Sequence, residues 1–151
     1  MTVLIFLHVL AMFIAFAFTT GAGVFLSIIL GSEDVATIRN AARVNRPLGV
    51  IGGISLLIGL ILGFAVAGQA GISMTATWLV VTYIAVAIIL ILGFAVFMPF
   101  AGRLSAAAAA SGSQPSAELK ALLSNPTPRI AGPIAGIMWI LVIAMMVLRP
   151  Q

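Results

Sequence analysis

Cysteine is absent from this chain of 151 residues, and charged side chains make up only 7% of it. Without cysteine the chain can form no disulfide, no zinc–thiolate site, no cysteine-held iron–sulfur cluster and no thiolate nucleophile. Soluble domains carry about a quarter charged residues, so a chain this poor in charge cannot cover a surface that faces water. Intrinsic disorder is excluded by the same numbers, because it requires low hydrophobicity and high charge.

Acidic residues are the scarcest charged group, with only Glu33, Asp34 and Glu118 in the whole chain. All three lie outside the long apolar stretches, so no Ser-His-Asp set or carboxylate pair can form within those stretches. No Lys or Arg lies there either, whereas ion-coupled transporters usually place ionisable residues inside the membrane. The net charge of +4 is a small surplus that does not predict binding to nucleic acid.

Apolar residues are abundant, at 63% of the chain, and most of them lie in four long stretches. A bilayer core about 30 Å thick is crossed by roughly 20 helical residues, and each stretch is long enough. Because backbone groups in lipid must pair within their own segment, the stretches are predicted to be helices. The sequence therefore predicts an all-α polytopic membrane protein, a four-transmembrane-helix bundle forming one domain over residues 1–151. The predicted spans cover residues 3–30, 47–68, 77–100 and 130–148.

Basic residues fall almost entirely on one side of the predicted bundle. The positive-inside rule places the Lys- and Arg-rich loops, 31–46 and 101–129, in the cytoplasm and both termini outside. Three of these arginines recur at helical spacing after Ser32, a candidate N-cap, and are predicted to form a basic stripe facing lipid headgroups or a partner. Plain positive-inside anchoring is the alternative interpretation. The stripe consists of Arg39, Arg43 and Arg46.

Small residues recur at every fourth position of the second span and at two positions of the fourth. This spacing lets helix backbones approach closely, which favours association in lipid. The predicted contact is with another helix of the same bundle, although a partner chain or a flat cofactor would fit the same groove. The positions are Ser55, Gly59, Gly63 and Ala67, with Gly132 and Gly136 in the fourth span.

His8 is the only histidine, and no Asp, Glu, Lys or Arg lies within a span. Imidazole and thioether groups are ligands for Cu(I) or haem iron, so His8 with Met12 is a candidate copper site. For a haem or another tetrapyrrole, His8 is the candidate axial ligand, with Met145 or Met146 opposite it at similar depth. The structural alternative is a neutral His8 bonded to a carbonyl or to water, with the methionines filling gaps in the core.

The order of these features resembles a group of small four-helix predicted integral membrane proteins. That family is related to the copper-resistance D-type membrane domain and to the haem-containing protoporphyrinogen oxidase of bacteria. The resemblance implies a link between the first-helix histidine, here His8, and haem or metal. In the oxidase type an intramembrane lysine accompanies it, whereas Lys120 lies in a loop here. The matching segments are Leu7-His8-Val9-Leu10, Gly21, Gly23, Arg46-Pro47, Gly59, Gly63, Trp78, Met98-Pro99 and Met146-Val147-Leu148-Arg149-Pro150.

These features together predict a structural or accessory subunit of a membrane assembly in the bacterial inner membrane. It would contact lipid, act as a homo-oligomer or within a larger complex, and hold any tetrapyrrole through His8. Haem or a related ring is the first candidate cofactor and copper the second. A haem-dependent membrane oxidoreductase is the alternative function, and a small metal or solute permease is the second alternative.

Overall fold

A computed structural model describes residues 1–149 of the chain. Within that part the backbone is helical, without any strand. Four stretches of helix are long and apolar enough to cross a membrane, as an integral membrane protein requires. The prediction of an all-α, four-helix bundle is confirmed. The helices are α1 (Thr2–Gly31), α2 (Val35–Gln69), α3 (Thr77–Ile91), a π-helical segment (Leu92–Phe97), α4 (Met98–Ala110), α5 (Ala117–Leu123) and α6 (Thr127–Leu148).

The first predicted cytoplasmic loop, residues 31–46, is mostly helix, because α2 begins at Val35 and continues through Pro47. Its N-cap is Asp34 rather than the expected Ser32. The Asp34 carboxylate accepts hydrogen bonds from the backbone N–H groups of Ala36 at 3.4 Å and Thr37 at 2.8 Å. An N-cap side chain must reach the second or third N–H of the helix, and Ser32 stands too far upstream to do so.

The second predicted loop, residues 101–129, is also largely helical. It contains the end of α4, all of α5 and the first turn of α6, which begins at Thr127. The Ser116 side chain caps α5 by accepting a hydrogen bond from the backbone N–H of Leu119 at 3.2 Å. The helices therefore extend beyond the predicted spans at the end of the bundle that carries the basic residues.

Three prolines lie within or beside the long helices. Pro47 and Pro133 lie inside α2 and α6, and Pro99 follows the π-helical segment at the start of α4. Proline has no N–H to donate, and its ring crowds the carbonyl four residues earlier. Before Pro99 the pairing shifts instead, and the Met98 N–H bonds to the Gly93 oxygen five residues back. Such a π-helical turn widens the helix locally.

The helices pack as two pairs, α1 with α2 and α3 with α6, and α4 lies on α2. The core has two buried clusters. One, in the middle of the spans, includes Trp139 of α6, whose ring meets the ring of Phe16 edge-on at a centroid distance of 5.5 Å. The other joins the helix ends beyond the predicted spans around Ile38, Leu104 and Leu119. There the hydrophobic effect operates in water, whereas within lipid close packing must hold the helices together.

Candidate functional site

His8 lies at the interface between α1 and α2, half-buried, with its Nδ1 atom 2.8 Å from the backbone oxygen of Gly59. A carbonyl oxygen only accepts hydrogen bonds, so this contact requires the proton on Nδ1 and leaves the lone pair on Nε2. The ring also covers Gly63, where a Cβ atom would stand 3.0 Å from the His8 Cε1 atom. Glycine at position 63 therefore gives the imidazole room to lie against α2.

Met12 lies one turn further along α1 and packs over Gly59. A Cβ atom at Gly59 would stand 2.6 Å from the Met12 Sδ atom, so the thioether fills the space that the glycine leaves. Both members of the predicted copper pair thus face α2, and the Met12 sulfur serves in helix packing. Its part in a metal site stays a prediction.

Among the glycines of α2, Gly52 is the one at which a Cβ atom would come nearest to the backbone of α1, and sequence reasoning missed it. A Cβ atom there would stand 2.7 Å from the Thr19 Cγ2 atom and 3.0 Å from the Thr19 backbone nitrogen. The signal was available, because Gly52 precedes Gly59 by seven residues, or two helical turns. Of the other predicted packing residues of α2, Ala67 is buried and Ser55 is half-buried.

Gly132 and Gly136 are placed differently from the prediction. A Cβ atom at either glycine would meet nothing within 4 Å, and both residues line a cavity between the helices. The α6 helix instead makes its close contacts through larger side chains, such as Trp139 in the central cluster. Four-residue spacing identifies small residues on one face, but it does not show whether that face meets a helix or a space.

Met145 and Met146 are half-buried near the end of α6. The antiparallel contact of Phe16 with Trp139 sets the register of α1 and α6. His8 lies eight residues before Phe16 in α1, and position 147 lies eight residues after Trp139 in α6. Met146 therefore lies at about the same height as His8. Met138 is the α6 methionine that packs in the central cluster with Met12.

The His8 geometry fits one axial ligand to a tetrapyrrole. Ligating histidines characteristically donate their other ring N–H to a carbonyl or carboxylate, which fixes the tautomer and orients the ring. The bond from Nδ1 to the Gly59 oxygen supplies that arrangement. The predicted opposite ligands, Met145 and Met146, lie at about the height of His8. The ligand role of His8 and the identity of the opposite ligand both stay predictions.

The predicted basic stripe divides into two kinds of residue. Arg39 is half-buried rather than facing lipid, and its guanidinium donates to the backbone oxygens of Ala108 at 3.2 Å and Ser111 at 2.8 Å. It thus joins α2 to the C-terminal end of α4, where a cation suits the helix dipole. Arg43 and Arg46 are exposed. The sequence showed that the three arginines share one helical face. It did not show that the C-terminal end of α4 lies beside Arg39.

A second arginine makes the same kind of link at the same end of the bundle. The Arg129 Nη2 group, at the start of α6, donates to the Leu30 oxygen in the last turn of α1 at 2.8 Å. The carbonyls of a final helical turn lack partners within the helix, so this bond satisfies one of them. Arg39 and Arg129 therefore tie together elements that are distant in the sequence.

Between the long helices lies a cavity of about 600 Å³. It occupies the half of the bundle next to the basic connections, and most of its wall is apolar. Asn45 of α2 is part of the wall, although it is only 6% exposed, and its Oδ1 atom is buried without a hydrogen-bond partner within residues 1–149. Arg46 and Arg129 line the cavity as well.

Comparison with models of known families, with curated proteins and with solved structures finds no match for this chain. What the protein does must therefore be inferred from the chemistry of its own residues.

Proposed function

We propose that the protein is a structural or accessory subunit of a membrane assembly, in the bacterial inner membrane with both termini outside. The observation that supports this role is how the polar side chains of the spans are used. The hydroxyls of Thr19 and Thr82 each donate at 2.7 Å to the carbonyl one turn earlier, and His8 bonds to α2. These three groups are engaged with the backbone of the bundle itself, and large apolar side chains cover much of the outer surface of the spans.

Such a surface suits a subunit that acts through helix contacts in lipid. Phe13 of α1 is 66% exposed and Ile140 of α6 is 69% exposed, so both helices present large side chains outward. Association in the membrane would rest on close packing of side chains like these, because lipid tails are as apolar as the helices. A homo-oligomer or a larger complex satisfies this requirement equally well.

Single cysteines introduced at these two positions test the accessory role, and the natural absence of cysteine keeps the experiment clean. In native membranes, a homo-oligomer that packs through one of these helices should cross-link from Phe13→Cys or from Ile140→Cys, but not from both, and a larger complex should appear on native gels of the solubilised membranes. Cross-linking at both sites in proportion to the amount of protein would indicate random collision. That result, or a monomer at every membrane concentration tested, would contradict the proposal.

A tetrapyrrole held by His8 is the second candidate, favoured by the bond from Nδ1 to the Gly59 oxygen. This bond holds Nε2 as the free nitrogen of the ring, and Nε2 would bind the iron. Haem would supply redox or electronic chemistry when bound, while the protein would set the tautomer and orientation of its ligand. Membership of the group of haem- and copper-linked membrane proteins stays a prediction, which the spectra described next also test.

Absorption spectra of the purified protein in detergent test the ligand role. The wild type should show a Soret band, and His8→Ala should abolish it. Met145→Leu and Met146→Leu should change the band only if that residue is the opposite ligand, and Met12→Leu serves as the packing control on the His8 side. If the wild type has no visible absorbance and no bound copper, His8 is a packing residue and the accessory role stands without a cofactor.

A further inference from the structure

The π-helical segment and two prolines inside helices lie at or beside the cavity. The π-helical segment contributes Gly93, Phe94 and Phe97 to its wall, and Pro133 of α6 lines it too. The wall also includes residues on both sides of Pro47 in α2. Irregular helix geometry at membrane depth is tolerated where it lines a space or is covered by protein. Local π-helical turns are frequent at binding sites. Features of three separate helices therefore border the cavity.

Asn45 is the buried polar group at this cavity that lacks a partner. Buried amide oxygens are almost always hydrogen-bonded, because an unpaired one loses its bond to water and gains nothing in return. Within residues 1–149, Asn45 Oδ1 is the one buried side-chain nitrogen or oxygen left without a partner. A donor from outside the chain, such as a hydroxyl group, would satisfy the Asn45 carboxamide.

Two cations lie at the end of the cavity near the basic connections. Arg46 and Arg129 both line it and both are exposed. One nitrogen of Arg129 is bonded to the Leu30 oxygen, but a guanidinium carries five N–H donors, so others remain for an anion. Guanidinium groups favour phosphate or carboxylate oxygens. The cavity therefore offers positive charge to an anion at one end, whereas most of the remaining wall is apolar.

We propose that this cavity binds one anionic phospholipid that carries a hydroxylated headgroup. Its phosphate would lie between Arg46 and Arg129, a headgroup hydroxyl would donate to Asn45, and an acyl chain would lie along the apolar wall. The volume of about 600 Å³ falls among ligand sites, which run from about 300 to 1,000 Å³. A metal-bearing ring fits less well, because His8, the only imidazole of the chain, is not among the lining residues.

Native mass spectrometry of the full-length protein in mild detergent tests the proposal. Phosphatidylglycerol should form a one-to-one adduct, and phosphatidylcholine should compete poorly for it. Arg46→Gln should lower the phosphatidylglycerol affinity about fivefold, the effect of one basic group near an anionic lipid. Arg43→Gln is the matched control, because Arg43 is exposed on the same helix but does not line the cavity. Excess inorganic phosphate should fail to displace the lipid, since phosphate lacks the acyl chain.

Filling the cavity gives a second, independent test. Gly136→Leu introduces a side chain into open space on the cavity wall, so it should abolish the adduct while the protein stays folded. Gly68→Leu is the control, since Gly68 also faces open space but lies outside the cavity. Asn45→Leu should weaken the adduct although it removes an unpaired polar group and raises the melting temperature.

Several outcomes would overturn the proposal. Equal binding of phosphatidylcholine would show that the site does not recognise the negative charge of the lipid. Displacement by inorganic phosphate would show that the site binds small anions in general. An adduct that survives Gly136→Leu would place the lipid elsewhere on the bundle. A more stable Asn45→Leu protein with unchanged lipid affinity would show that the Asn45 amide does not touch the lipid.

Discussion

At position 52 the side chain of α2 is a single hydrogen atom, and the backbone of α1 lies where any larger group would stand. A Cβ atom there would meet the backbone nitrogen of Thr19 at 3.0 Å, whereas at Gly63 it would meet only the imidazole of His8. A ring can rotate aside, but a backbone held in a helix cannot. The contact between α1 and α2 therefore tolerates an added side chain at position 63 better than at position 52.

This difference predicts an order of stabilities. Gly52→Ala should lower the free energy of unfolding by about 1–3 kcal/mol, as overpacking of a tight contact does. Gly63→Ala should cost less, because the His8 ring can shift at the expense of its bond to Gly59. Gly53→Ala is the matched control: its Cβ meets nothing within 4 Å, so better helix propensity should leave the protein unchanged or slightly more stable. Melting temperatures in detergent would measure the order, and an equal loss at positions 52 and 53 would contradict it.

At the scale of the element, the start of α2 depends on one carboxylate. The Asp34 side chain accepts from the Thr37 hydroxyl and from the backbone N–H groups of Thr37 and Ala36. These bonds, the Thr37 hydroxyl first among them, hold the pKa of Asp34 below its ordinary value. A lowered pKa in the folded state means that the cap stabilises the helix when the carboxylate is charged.

The pH dependence follows from that sign. The contribution of the cap should be fully present above the ordinary aspartate pKa of about 4, and it should be lost as the pH falls through the lower pKa of the folded state. Protection factors of the first-turn amides of α2, which correct for the pH dependence of intrinsic hydrogen exchange, should therefore fall in strong acid. Asp34→Asn should retain part of the cap at every pH and show a flatter profile, and a profile identical to that of the wild type would contradict this assignment.

The link from α2 to α4 is a second element-scale feature. Arg39→Gln removes the donors to the Ala108 and Ser111 oxygens, so the end of α4 should exchange its amide hydrogens faster. The expected loss of stability is about 1 kcal/mol, as for a hydrogen bond at a wet surface. Arg43→Gln, on the exposed side of the same helix, should leave α4 unchanged. Equal effects of the two substitutions would show that only net charge matters.

At the scale of the whole molecule, the orientation in the membrane is the main prediction. The connections before Asp34 and after Ala110 lie at the same end of the bundle as six of the seven Lys and Arg residues, which predicts a cytoplasmic location. Single cysteines at Ser113 and Thr75, both exposed, report the two ends. An impermeant thiol reagent applied to intact cells should label Thr75→Cys and spare Ser113→Cys. The reverse pattern would invert the topology.

The sequence by itself determined that this protein is a four-helix membrane bundle, because hydrocarbon thickness and backbone pairing leave few alternatives for long apolar stretches. It also showed His8 as the one imidazole in a span, and small residues spaced along α2. Only the tertiary structure decided that His8 bonds to the Gly59 oxygen and that Gly132 and Gly136 face a cavity. Helical spacing defines a face, but the partner of that face depends on contacts between residues far apart in the chain.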